Sequence, residues 1–268
     1  MKSYFNYFRL RIITNLQYRS AALAGIATQI FFGFLYIMLY LAIYESNSGV
    51  NTPMDWNSLV TYLWLQQAFF AVTYPYMKDQ ELLNMIKNGN LAYELIRPQN
   101  FYFKFYIKML SERMVSTILR CIPIIVISLL LPYPYKLSLP PTFSSFVLFI
   151  FALSFSCLLV TSLSLIVHLI SMFTLDSRGI TSAYSMIAEV FMGIVIPIPF
   201  FPKWMIKISN LLPFKYIGDF PYRVFSGSIG ITEGTGLLLG SGIWFIICLF
   251  LGYLLSKYAL RKAVIQGG

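Results

Sequence analysis

Few residues in this sequence have types that do chemistry, and their spacing excludes most chemistries. His168 is the one histidine, with no carboxylate or cysteine at ligand spacing, which argues against a metal centre or a nucleophilic triad. Cys121, Cys157 and Cys248 are widely spaced inside apolar runs and read as small core residues. No G-x-x-x-x-G-K-S/T phosphate loop occurs. The glycines at 234, 236, 240 and 242 open an apolar run with no strand before it, so close helix packing through Gly236 and Gly240 is the expectation. What remains is a set of isolated polar groups in apolar surroundings: Gln29, Gln66, Gln67, Arg120, His168 and Glu189. A charge at membrane depth is expensive, which makes each such group a functional candidate. Gln29, Arg120 and His168 are expected to be structural. Arg120 either snorkels to the headgroups or pairs with Glu112 or Glu189. Gln66 and Gln67 either hydrogen-bond between helices or line a translocation path, and Glu189 is either a fixed structural partner or a path residue.

The elements that position these groups follow from composition. The 268 residues are 58% hydrophobic and 11% charged, against about 25% charged in ordinary soluble chains. The expectation is an all-α polytopic membrane protein with an interfacial helix over 1–20 and a transmembrane domain over 21–268. Six spans are predicted, at about 21–44, 59–77, 114–131, 143–173, 180–196 and 235–255. Residues 1–20 place Phe5, Phe8, Ile12 and Leu16 opposite Arg9, Arg11 and Arg19, the pattern of a helix lying in the inner interface. The net charge of +10 is concentrated before the first span, between 78 and 113, and after the last span. That distribution is the positive-inside pattern and puts both termini in the cytoplasm. The charge is therefore expected to meet anionic lipid and not nucleic acid.

Two non-spanning stretches are informative. Asp79 is placed to cap a short helix whose Leu82, Leu83 and Ile86 form an apolar side, and Asn88-Gly89 supplies a left-handed stop. Such a helix can lie on the membrane, or dock its apolar side into a groove of a cytoplasmic partner. From 197 to 234, apolar residues are interrupted by Pro197, Pro199, Pro202, Pro213 and Pro221, with basic residues interspersed. Short helices dipping back into the outer interface would satisfy their backbone groups against protein.

At this point the chain resembles a family. The run Ile86-Lys87-Asn88-Gly89-Asn90-Leu91-Ala92-Tyr93-Glu94-Leu95-Ile96-Arg97-Pro98 is similar to the element that follows the second span in type-two ATP-binding-cassette (ABC) transporter permeases. The run from Phe201 to Tyr216, with Pro202, Trp204 and Pro213, resembles that family's outer re-entrant element before the last span. The resemblance implies a transmembrane subunit that dimerises with a second copy or a paralogue and works with separate nucleotide-binding ATPase subunits. It implies no cofactor in this chain, with ATP and Mg2+ held by the partner. Asp79, Glu81, Leu82, Leu83, Ile86, Lys87, Asn88 and Gly89 would form the coupling helix that reads ATP-driven closure. Span-two and span-five residues would line the path. The expected activity is export of an amphipathic or hydrophobic substrate (a drug, an antimicrobial peptide or a lipid-like molecule) across a bacterial cell membrane. The alternative is a secondary transporter or channel independent of ATP, but no repeat relates 1–134 to 135–268. An intramembrane enzyme would need a convergent acid, base or metal set, which the sequence does not contain.

Overall fold

The computed structural model describes residues 2–17, 19–46, 52–87, 99–174 and 177–262. These residues form helices α1 (Lys2–Asn15), α2 (Arg19–Ser46), α3 (Trp56–Ala68), α4 (Phe70–Thr73), α5 (Gln80–Lys87) and α6 (Phe101–Leu130). The order continues with α7 (Phe143–Ile170), α8 (Ser177–Phe191), α9 (Lys203–Leu211), α10 (Asp219–Ser226) and α11 (Ile231–Lys262). Short 3-10 turns join some of them, and no strand occurs among the described residues.

Among the described residues, four helical segments are long and apolar enough to cross a membrane: Ala22–Ser46, Phe101–Leu130, Phe143–Phe173 and Ile231–Arg261. The segments expected as the second and fifth spans are shorter helices. Phe69, at φ −103° and ψ 16°, separates α3 from α4. The 15 residues of α8 extend about 22 Å at 1.5 Å per residue, short of a 30 Å hydrocarbon core. The chain turns beyond α8 at Gly193, whose φ of 75° lies in the left-handed region that glycine adopts without strain.

α3 is the centre of the molecule. Every residue from Ser58 to Ala68 is buried, enclosed by α2, α6 and α10. Its N-terminus is capped by Asp55, which accepts the Ser58 N–H at 3.0 Å. Its indoles fasten the 132–138 loop: Trp56 Nε1 donates to the Pro134 carbonyl at 3.0 Å and Trp64 Nε1 to the Tyr135 carbonyl at 2.7 Å. α2 approaches closely because Gly33 has no side chain; a Cβ there would lie 2.5 Å from the Trp64 ring. α7 and α11 pack along each other. The outward sides of the long helices carry exposed apolar residues, among them Phe31, Met38, Ile122, Ile246 and Phe250, a surface suited to lipid.

Three sequence expectations are corrected here. α6 starts at Phe101, capped by Asn100, so Lys104, Lys108 and Arg113 are buried helix residues and not part of an inner loop. α1 packs on α6 through Tyr4, Tyr7, Phe8, Arg11 and Ile12, while Phe5, Arg9, Leu10 and Ile13 face outward, because the tyrosine and arginine tips find polar partners inward. A Cβ at Gly236 would meet nothing within 4 Å, whereas one at Gly240 would strike the Tyr216 side chain at 2.7 Å, so Gly240 alone of the two makes a close packing contact.

Candidate functional site

Below α4 the chain must turn from a helix end into α5, leaving orphan carbonyls at the negative end of the helix. Arg113, fully buried on α6, answers them. One terminal nitrogen donates to the Val72 carbonyl at 3.2 Å and the Tyr74 carbonyl at 2.6 Å. The other donates to Ser164 Oγ on α7 at 2.6 Å, and that hydroxyl donates onward to the Pro75 carbonyl at 2.8 Å. One cation thus joins α4, α6 and α7.

His168, one turn further along α7, fixes the next step. Its Nδ1 lies 2.7 Å from the Ser164 carbonyl, which can only accept, so Nδ1 carries the proton. Nε2 is then bare and accepts the Asp79 N–H at 3.1 Å, with the Tyr76 hydroxyl at 3.2 Å and its ring stacked at 4.7 Å. Both ring nitrogens are engaged, leaving no lone pair for a metal ion. Among the described residues no group of three His, Cys, Asp or Glu side chains could hold one.

Asp79 caps α5, Oδ1 accepting the Leu82 N–H at 3.0 Å. The same oxygen meets Lys108 Nζ at 2.7 Å, and Lys108 reaches Glu81 Oε2 at 2.7 Å. Glu81 also meets Arg11 of α1 at 3.2 Å. Burial raises the Glu81 carboxyl, but the hydrogen bond and charge of Lys108, with Arg11 behind it, outweigh burial and hold it below the usual carboxylate range. α5 is therefore tied by charge and hydrogen bonds to α1, α6 and α7.

The apolar side of α5 corrects a further expectation. Leu82 and Leu83 are buried within the chain, and Leu82 packs in a cluster with Phe101, Tyr102, Phe105, Met109, Leu165 and Leu169. Leu82 and Leu83 are consumed in anchoring α5 and do not face a partner's groove. The exposed edge is Gln80, Glu81 and Asn84. The side chains of Ile86 and Lys87, and the whole of Asn88, Gly89 and the run to Pro98, lie outside the described residues.

Beside the hub, α8 lays Thr181, Ser182, Ser185, Met186 and Glu189 along one side of a cleft of about 670 Å³, with Tyr74, Tyr76, Met77 and Lys78 opposite. Gln66 is not among the lining residues: its amide donates to the Ile194 carbonyl at 2.7 Å and the Gly193 carbonyl at 3.3 Å, satisfying the chain just beyond α8. Gln67 is buried in α3, and Gln29 is buried on the inner side of α2. Arg120 lies against Gly25, where a Cβ would be 2.7 Å from its Cζ. No ion pair joins Arg120 to Glu112 or Glu189 among the described residues, because Arg120 is directed at α2. In the proline-rich stretch, Pro202 precedes α9, Trp204 is exposed and Pro213 is buried. There Tyr62 reaches Asp219 at 3.4 Å and Arg223 reaches it at 3.4 Å, tying α10 to α3.

Sequence alone does not single out Lys108, Arg113 or Ser164. For Lys108 and Arg113 the signal is Asn100 as a cap followed by apolar positions 101, 102, 105, 106 and 109 at helical spacing, which carries the helix start back through the basic residues; nothing local marks Ser164.

The profile of a family described as ABC-2 family transporter protein matches residues 30–267, and the chain belongs to that family. Neither a curated protein nor a solved structure matches it.

Proposed function

From membership of a family of ABC transporter membrane subunits, whose members normally work with ATP-binding subunits, we propose that this chain is the permease subunit of an ATP-driven exporter. It moves an amphipathic or hydrophobic substrate outward, powered by separate nucleotide-binding subunits that hold ATP and Mg2+. The chain itself catalyses nothing. In this reading α3–α4 and α8 complete six spans around a path shared with a second permease copy or a paralogue. Both termini face the cytoplasm of a bacterial cell.

The family match carries the reading, and the anchoring of α5 supports its mechanism. A coupling element must be stiffly joined to the spans, or ATP-driven closure would bend it without moving them. Asp79, Lys108, His168 and Leu82 provide that join. Contact with the ATPase falls to the exposed edge, Gln80, Glu81 and Asn84.

The test is co-expression with candidate ABC ATPase subunits from the same organism, affinity purification through this chain, and transport in proteoliposomes. The expected result is a complex whose ATP hydrolysis drives substrate movement. Transport by the chain alone on an ion gradient would replace this reading with a secondary transporter.

A further inference from the structure

Glu189 stands apart from the paired ionisable groups of the hub. It is half-buried, it sits on a helix that is otherwise uncharged from Gly179 to Phe191, and it lines an open cleft. Among the described residues its carboxylate has no hydrogen bond and no ion pair, although Lys78 lines the same cleft. Lys78 is exposed, so water screens it, while Glu189 is partly withdrawn from water. A carboxylate held this way is costly unless something else supplies a counter-charge. The walls beside it are mixed: Thr181, Ser182 and Ser185 offer hydroxyls, and Tyr74, Met77 and Met186 offer apolar, polarizable surface. Thr181, Ser185 and Glu189 recur every four residues, which sets the hydroxyls and the carboxylate on one side of α8 over about 12 Å.

From this geometry we infer that the cleft binds an amphipathic cation, with Glu189 as the residue that selects positive charge. The cargo's charged group sits at the carboxylate, and its apolar body lies on Tyr74, Met77 and Met186. This names a substrate class within the permease reading and rests on that reading. Neutral lipids and anionic amphipaths lack the counter-charge and are disfavoured at this position.

The test uses two probes of nearly equal size and opposite charge, tetraphenylphosphonium and tetraphenylborate. Their binding is measured by tryptophan-fluorescence titration of the full chain in nanodiscs, with and without its ATPase. The wild type is expected to bind the cation saturably and at least about tenfold more tightly than Glu189→Gln does. Both proteins should hold the anion equally weakly. Ser185→Lys, which provides an internal partner four residues from Glu189, should abolish cation binding while the protein still elutes as wild type. Equal affinity of wild type and Glu189→Gln for the cation overturns the inference, as does preference for the anion. A change of oligomeric state in Glu189→Gln with unaltered cation affinity also overturns it, since the counter-charge would then come from a second copy. Failure to capture an ATPase would instead overturn the permease reading, and the probe titration would still report on the cleft.

Discussion

The hub beneath α4 and the cleft beside it are neighbours made of the same kinds of residue, yet they treat charge in opposite ways. In the hub Arg113 is matched by three acceptors, Lys108 by two carboxylates and Glu81 by two cations. In the cleft Glu189 is matched by none among the described residues. Tyr76 borders both regions, bonded to His168 on one side and lining the cleft on the other. A polar group at membrane depth is thus informative only once its partners are known. Where the chain satisfies the group, its role is to hold helices together; where it does not, a ligand or partner remains to be accounted for.

The largest effect expected from breaking the hub is that of Lys108→Met, which strips buried Asp79 of its cation and leaves Glu81 with Arg11 alone. Breaking a buried pair costs about 3–5 kcal/mol, so the detergent-solubilised protein should lose most of its unfolding transition. Adding Asp79→Asn should restore part of the loss, and no restoration would mean that Lys108 acts by volume alone. Next comes Ser164→Ala, which removes an acceptor from Arg113 and a donor from the Pro75 carbonyl. The expected loss is about 1–3 kcal/mol, read as a lowered midpoint in a thermal melt.

Smaller is the pH dependence of the α1–α5 bridge. Because the Glu81 carboxyl is held below its ordinary range, its contribution is fully present at neutral pH and is lost as pH falls through the lowered value. Wild type and Glu81→Gln should therefore differ by under about 1 kcal/mol at pH 7 and converge in acid; divergence on acidification would show that the sign is wrong. The smallest effect on stability, within about 0.5 kcal/mol, is expected for Glu189→Gln, whose side chain supports nothing. A large drop in its melting point would erase the distinction between hub and cleft.

Much of this arrangement is legible in the sequence, though unevenly. The long apolar runs announce α2, α7 and α11 because hydrocarbon requires length and apolarity, and both are local properties. The α5 start at Asp79 is equally local, since a cap bonds a backbone N–H three residues away. The destination of the Leu82 side is not local. An apolar stripe on a short helix looks the same whether it meets a partner protein or its own α6, and only the fold brings Phe105 and Leu169 beneath it. The same holds for Arg113, whose acceptors Tyr74 and Ser164 are 39 and 51 residues away. Gln66 and Glu189 read alike in sequence, as polar residues in apolar runs. They part company because the chain beyond α8 leaves carbonyls within reach of the amide and open space beside the carboxylate.

The central claim, that α5 is clamped to the spans on its apolar side and meets an ATPase on its exposed edge, is tested most directly by photo-cross-linking. A benzophenone amino acid placed at Asn84, exposed on α5, is compared in the purified complex with one at Trp204, exposed on α9. The account expects a cross-link to the ATPase subunit from position 84 and none from position 204. An ATPase cross-link from 204, or none from 84 in a complex that hydrolyses ATP, would contradict it.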